Sequence, residues 1–476
     1  MDKKYDVVII GAGIGGLVCG CYLAKAGLKV LICEQHSIPG GYCTSFKRKG
    51  FIFDAGVHSL GSLRKNGMLY TILSDLKLLG KIQFITTKMI DRIITPTTKF
   101  YISRNKNHTK KVLIKQFPGE KDGINKFFDF IDGGDLLYTI SKTKKINFKD
   151  LLDRYLINED LKTVLSIPLT NIGLPASKAS ALVAVFLYRE FIFDGGYYPR
   201  GGIQQLPNLL CSSFIALGGN IKFSSKVVKI ITRYNKVDGV KLVNNQIIKA
   251  NFIVSNIDAR LTFHKLLGGS TQESRQIRKL TESLSAFVVY IGLKRKINDI
   301  PRHFNTWYLA RGNFEDCFKF NKNLHGLSNF DYILCTFPSL VDASLAPNGK
   351  DSVRLFALAK YANKKTWDKY KHIFSDRLIK AASAVIPDLK ELIEYVEIAT
   401  PCTFEGYTSN RHGALFGWAA QKGQIDPNLL PQQTSITNLY LAGHWVMNGI
   451  GQSGIPVVAL SGKNAARRII REIKRK

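Results

Sequence analysis

The chain opens with Asp6-Val-Val-Ile-Ile-Gly-Ala-Gly-Ile-Gly-Gly16, a run of strand character that passes straight into Gly11, Gly13 and Gly16. A helical pattern follows, then a second apolar run, Leu28-Lys-Val-Leu-Ile-Cys33, which ends at Glu34. This order predicts a strand, a tight turn, a helix and a second parallel strand, and each residue type has a physical reason. Gly11 permits the turn, Gly13 lets the backbone approach a pyrophosphate, and Gly16 lets the helix pack close to the strand. The helix start offers unpaired N–H groups and the positive end of its dipole to phosphates. A carboxylate about 20 residues beyond the glycines is placed to accept ribose hydroxyls and to repel a 2′-phosphate. A dinucleotide site is therefore expected, with neither the dinucleotide nor the chemistry specified by this segment.

At 476 residues the chain has material for two or three domains' worth of core. Its hydrophobic share of 45% and charged share of 22% are those of a folded globular protein. The N-terminal apolar stretch is glycine-rich and broken by Lys25, so it reads as neither a signal peptide nor a membrane span. A cytoplasmic protein is expected, held peripherally on the inner face of the membrane. The eight cysteines show no C-x-x-C pair and no metal-ligand spacing, which predicts neither a disulfide framework nor a metal site.

The net charge of +32 is unusual. Nucleic-acid binding would want basic residues interleaved with aromatics or a known motif, and neither is present. Two readings stand: a compositional bias toward Lys, Ile, Asn and Phe, and attraction to an anionic membrane surface, worth about 1 kcal/mol per basic residue near the lipid. The C-terminal segment 463–476 favours the second, as a basic helix whose Ile469, Ile470 and Ile473 share a face.

Further along, residues 65–195 read as mostly helical, with lysine-rich strand pieces near 92–116 and an apolar helix over 179–188. A helix is expected over 206–217. Val237–Leu242 and Gln246–Ala250 read as hairpin strands, and Phe252–Asn256 as another buried strand. Strands and helices alternate over 283–395, and Phe287–Gly292 reads as a central strand. Asn438–Gly443 reads as a last strand entering a glycine-rich turn. Nucleotide-type pieces thus occur at the start, middle and end. The expected architecture is α/β: a discontinuous Rossmann-like domain (1–65, 196–282 and 396–476) with an inserted α+β substrate domain (66–195 and 283–395).

The opening motif, the Gly40–Gly41 doublet, Asp54-x-Gly56-x-His58, Tyr198-Pro-Arg-Gly-Gly202 and the stretch from Leu441-Ala-Gly-His-Trp445 to Gly454-Ile-Pro456 occur in one order. Together they resemble the phytoene desaturase family, which includes carotenoid isomerases and retinol saturases; Phe117-Pro-Gly-Glu120 and Thr400–Tyr407 strengthen the likeness. The resemblance implies FAD as the cofactor. It implies that Gly11, Gly13, Gly16 and Glu34 take the pyrophosphate and adenosine ribose. Gly40 and Gly41 then lie beside the flavin, Val227 is either a backbone contact for adenine or a plain core residue, and Gly443, Gly451, Gly454 and Ile455 form a C-terminal flavin site. The implied substrate is a long apolar isoprenoid or polyene, desaturated, saturated or isomerised.

No acid–base constellation stands out. His58, His444 and Glu405 are the catalytic candidates, each histidine having a purely structural reading beside it, and Glu405 and His412 belong to a segment that the resemblance puts at the substrate cavity. Where the family commonly carries a basic residue within 405–407, this chain has Gly406. The apolar helix at 179–188 with Phe191–Phe193 reads either as core or as the wall of a lipophilic tunnel. Two other functions remain open: a flavin amine oxidase of the same fold, and a flavin-binding protein without catalysis.

Overall fold

The strand Tyr5–Ile10 is where distant parts of the chain meet. In the computed structural model, which describes residues 4–298, 300, 303, 305–320, 326–447 and 454–475, it lies between Val30–Cys33 and Ile247–Ser255 and runs parallel to both. Burial of its last four residues matches their unbroken apolar run, as expected of a parallel strand covered on both faces. Asn220–Lys222 pairs beyond Val30–Cys33, and Leu439–Leu441 pairs parallel with Ile247–Ser255. An antiparallel meander of Val227–Arg233 and Lys236–Leu242 completes this seven-stranded sheet.

The expected hairpin strand 246–250 and buried strand 252–256 are one strand, Ile247–Ser255. Its first residues pair with the meander and its last with Leu439–Leu441. Burial alternates along the first half and is continuous along the second, so a single strand carries two periodicities.

The first helix, Ile14–Lys25, packs against the last, Ile455–Lys474, at backbone distance. A Cβ at Gly462 would press on the carbonyl group of Gly15 and lie 3.1 Å from the Cys19 nitrogen. Ile469 is buried, and Ile470 and Ile473 pack against the same core. The apolar face of the C-terminal helix is therefore occupied within the protein. What it offers outward is Arg467, Arg468, Arg471, Lys474 and Arg475.

A second seven-stranded sheet has the order Ile393–Ala399, Ser285–Leu293, Asp351–Ala359, Tyr332–Thr336, Asn305–Leu309, Met89–Ile94 and Lys99–Ser103. The boundary expected at 395/396 falls inside its edge strand, which pairs with Ser285–Leu293. Helix Lys364–Ala382 packs on one face of this sheet, and the helices between Lys106 and Leu187 share a core with the other. Residues 106–116, expected among strand pieces, form a helix because Asn105 caps it, its side chain accepting from the Asn107 and His108 N–H groups. The apolar helix spans Ala181–Leu187 and runs into a π-helical turn, Tyr188–Ile192.

Candidate functional site

One cavity of about 330 Å³, within the range of small-molecule sites, is lined from both sheets. Gly11, Gly13, Glu34, Gly40, Gly41, Val227, Gly443, Gly454 and Ile455 all face it, as do His58 and His444. The chain thus brings to one cavity residues more than 400 positions apart. Gly16 lies beneath it; a Cβ there would run into the Gly11 carbonyl oxygen, so only glycine lets the helix begin directly on the strand. Gly451 falls outside the described residues.

The charge of a dinucleotide has a counterpart in this end of the cavity. Helix Ile14–Lys25 starts from Gly13 and helix Ile455–Lys474 from Gly454, and among the described residues neither has a side-chain cap or an acid in its first turn. Their leading N–H groups and dipoles are left to whatever occupies the cavity. Glu34, buried at its strand end, accepts from the Ala12 N–H (2.7 Å) and the His36 N–H (2.9 Å), one on each carboxylate oxygen. That ties the glycine turn to the second strand and leaves acceptor capacity on both oxygens for ribose hydroxyls. Gly40 is drawn to the same turn, its N–H donating to the Ala12 carbonyl at 2.9 Å.

Asn256 was not singled out by the sequence. It follows the strand Ile247–Ser255, donates from Nδ2 to the Gly11 carbonyl (3.2 Å) and keeps a buried Oδ1 without a partner among the described residues. A Cβ on Gly13, Gly15 or Gly443 would meet its side-chain amide. Asn256 therefore wedges the first and last glycine turns together. The available signal was its position, a polar residue at the carboxyl end of a buried parallel strand, where open α/β sheets hold ligands. The uncapped helix starts, the glycine cradle and the orphaned amide oxygen all fit a dinucleotide such as FAD.

The other end of the cavity is apolar. Val183, Phe186, Leu187 and Phe191 line it from the helical layer, so the 179–188 helix gives one side to the cavity while Ala181, Leu182, Ala184 and Val185 remain core. Trp307, Leu334, Arg354 and Phe356 line it from the second sheet. Strand Ser285–Leu293 contributes no lining residue; its side chains are divided between the cores on either side.

His58 stands edge-on to Phe191 and Trp307, with ring centres 6.3 and 6.5 Å away, and its Nε2 has no partner among the described residues. Burial, reinforced by the Arg354 cation, lowers its pKa to about 3. Burial alone lowers that of His444, beside Tyr42 and Trp445, to about 4. Both are neutral imidazoles at physiological pH and unsuited to act there as cationic acids. Glu405 is not among the lining residues. It accepts from the His412 N–H at 2.8 Å and also bonds the Tyr361 hydroxyl, so the carboxylate expected at the substrate is turned to other work.

Asp54 is buried and knits the middle motif to the start of the chain. It accepts from Ser45 Oγ (2.7 Å), from the Tyr198 hydroxyl and from the Ile203 N–H (3.1 Å). Burial raises its pKa, opposed by these donors and by the charge of Arg354. Arg354 was also missed, although a lone arginine in Ser-Val-Arg-Leu-Phe-Ala-Leu is itself a signal of a buried charge.

A family model described as flavin containing amine oxidoreductase matches residues 14–470. The chain is 25% identical to the all-trans-retinol 13,14-reductase of Danio rerio, over 94% of this chain and 83% of that protein. It is 26% identical to the chloroplastic prolycopene isomerase of Daucus carota, over 99% of this chain and 81% of the relative. Among solved structures, an oxidoreductase from Methanosarcina mazei superposes with a TM-score of 0.69 at 18% identity, over 98% of this chain and 100% of the other. The fold is shared with these proteins, and the retinoid and carotenoid relatives bear out the resemblance drawn from the motifs.

Proposed function

The chain belongs to the flavin containing amine oxidoreductase family, and on that premise we propose that this FAD-dependent oxidoreductase acts on carbon–carbon double bonds of a long apolar isoprenoid. The observation that carries this reading is the continuity of the cavity. It leads from the glycine cradle into a compartment walled by Val183, Phe186, Leu187, Phe191, Trp307 and Leu334. The relatives named above are a retinol reductase and a prolycopene isomerase, both polyene enzymes by name. FAD, when bound, accepts or returns the reducing equivalents of such reactions. The protein's part is then to bind, orient and exclude water. Gly11, Gly13, Glu34, Gly40, Gly41, Val227, Gly443, Gly454 and Ile455 hold the cofactor, and His58 and His444 stand as neutral polar groups at the cavity.

An amine substrate is disfavoured by Arg354, a buried cation in the apolar half that would repel an ammonium group. Lys226, next to Val227, is the lining lysine among the described residues, which leaves the apolar half without one. The test is anaerobic mixing of the flavin-loaded protein with phytoene, lycopene isomers and retinol, followed by product analysis. A changed polyene supports the proposal; peroxide released from an amine, with every polyene untouched, overturns it.

Peripheral attachment to the inner face of the membrane belongs to the same reading. No helix among the described residues is long and apolar enough to cross a membrane. With its isoleucines turned inward, the C-terminal helix would contribute charge and little insertion, so binding should be electrostatic. Co-sedimentation with anionic vesicles that disappears in high salt is expected; salt-insensitive binding, or none, would refute it.

A further inference from the structure

The geometry points to a substrate with an anionic oxygen at one end, a polyene carboxylate whose carboxyl group is received by Arg354. This inference rests on the isoprenoid reading above and goes beyond it by naming the polar end and the residue that reads it.

Arg354 is 3% exposed, lines the cavity, and has no hydrogen-bond partner at Nε or Nη1 among the described residues. A guanidinium carries five donors, and burying them unpaired is costly, so a ligand is the natural source of acceptors. Its surroundings do not supply them. Asp54 is near enough to be felt electrostatically, but its carboxylate is turned to Ser45, Tyr198 and Ile203 and makes no hydrogen bond to Nε or Nη1. The cross-strand neighbours of Arg354 are Tyr290 and Thr336. Tyr290 spends its hydroxyl on the Ala55 carbonyl at 2.6 Å, and Thr336 Oγ1 is buried without a partner.

The same strand explains why this polar spot marks an end. Side chains two apart share a face, so Arg354 is followed on the cavity side by Phe356, whose ring lies 5.5 Å from the guanidinium carbon. The row beside it, Phe356, Leu334 and Trp307, is apolar. A hydrocarbon chain fits that row and leaves the guanidinium unsatisfied. A carboxylate at its terminus would match the planar fork with two parallel hydrogen bonds. His58, with its free Nε2 and neutral ring, stands on the same cavity and competes for no charge.

The experiment is equilibrium titration of the flavin-loaded protein with retinoic acid, retinol and a matching polyene hydrocarbon without oxygen, followed through the ligand's absorbance. The acid should bind tightest. In Arg354→Gln the ratio of acid to hydrocarbon affinity should fall roughly 10- to 100-fold, the loss of a hydrogen-bonded charge. Arg354→Lys, which keeps the charge and loses the fork, should keep part of the preference. Flavin absorbance and melting temperature report that each variant is folded, and if Arg354→Gln fails to fold, the wild-type preference and the lysine variant decide. A wild-type protein that binds hydrocarbon as tightly as acid overturns the inference. So does an unchanged ratio in Arg354→Gln, or an Arg354→Gln variant whose only change is in the flavin's reduction potential, which would give Arg354 to the cofactor. Polyenes bound without preference remove only this inference; failure to bind any polyene removes the reading beneath it.

Discussion

Replacing glycine by alanine should have opposite effects at two helical positions, Gly406 and Gly462. In a helix interior the change gains about 1 kcal/mol from propensity at either site. At Gly406, in helix Pro401–Thr408, an added Cβ meets nothing within 4 Å. At Gly462 it would press on the Gly15 carbonyl oxygen, lie 3.0 Å from that carbonyl carbon and 3.1 Å from the Cys19 nitrogen, all of them backbone atoms of the first helix. Backbone cannot turn aside as a side chain can, so the two helices must separate. Overpacking of this kind costs about 1–3 kcal/mol or more. The expected net is therefore a gain of about 1 kcal/mol at Gly406 and, with backbone on the receiving side, a loss of up to about 2 kcal/mol or more at Gly462. The consequence is also functional, because the first helix begins at the cavity with Gly13 and Ile14 and the last helix lines it with Ile455 and Pro456. Thermal melts of the flavin-loaded variants should move in opposite directions, and Gly462→Ala should purify with less bound flavin. Equal melting shifts with equal flavin content would show that the first and last helices do not hold the cradle, and the reasoning would fail.

Glu34→Gln should weaken retention of FAD about tenfold or more, since a charged acceptor facing two N–H groups, and on the proposed reading the cofactor's ribose, is lost; flavin release measured by filtration checks it. Asp54→Ala should destabilise the protein by about 3 kcal/mol, because the Ser45–Tyr198–Ile203 knot loses its acceptor and Arg354 a carboxylate whose charge it feels; denaturant melts report it. The depressed His58 and His444 leave the unfolded chain binding more protons below its ordinary histidine pKa of about 6.5. Stability should hence fall as pH drops from about 6.5 toward 4, and His58→Gln should flatten that fall; a melting temperature constant over this window would contradict the burial of both rings.

Local order was legible wherever neighbouring residues share one physical task. The strand, glycine turn and helix of residues 6–25, and Glu34 beyond them, are dictated by hydrophobic runs and backbone sterics within one segment, and the structure forms them as the pattern demands. The pattern of residues 246–256 suggests two strands where there is one, Ile247–Ser255, because its burial changes midway as its neighbours change, and neighbours are a tertiary fact. Glu405 shows the same limit for chemistry: a carboxylate in a suggestive segment is spent on the His412 N–H seven residues away.

By itself the sequence determined that a dinucleotide cradle opens this chain and that glycine-rich turns recur at its middle and end. It also determined that no acid–base set is concentrated in any motif. Only the tertiary structure decided that the first and last of these turns meet at one cavity, that Asn256 wedges the one to the other, and that the isoleucines of the basic C-terminal helix are spent on the core. It also decided that Arg354 faces the apolar half without acceptors for Nε and Nη1. The reason is physical: turn geometry and periodicity are set by residues a few positions apart, whereas burial and the pairing of a charge depend on segments hundreds of residues away.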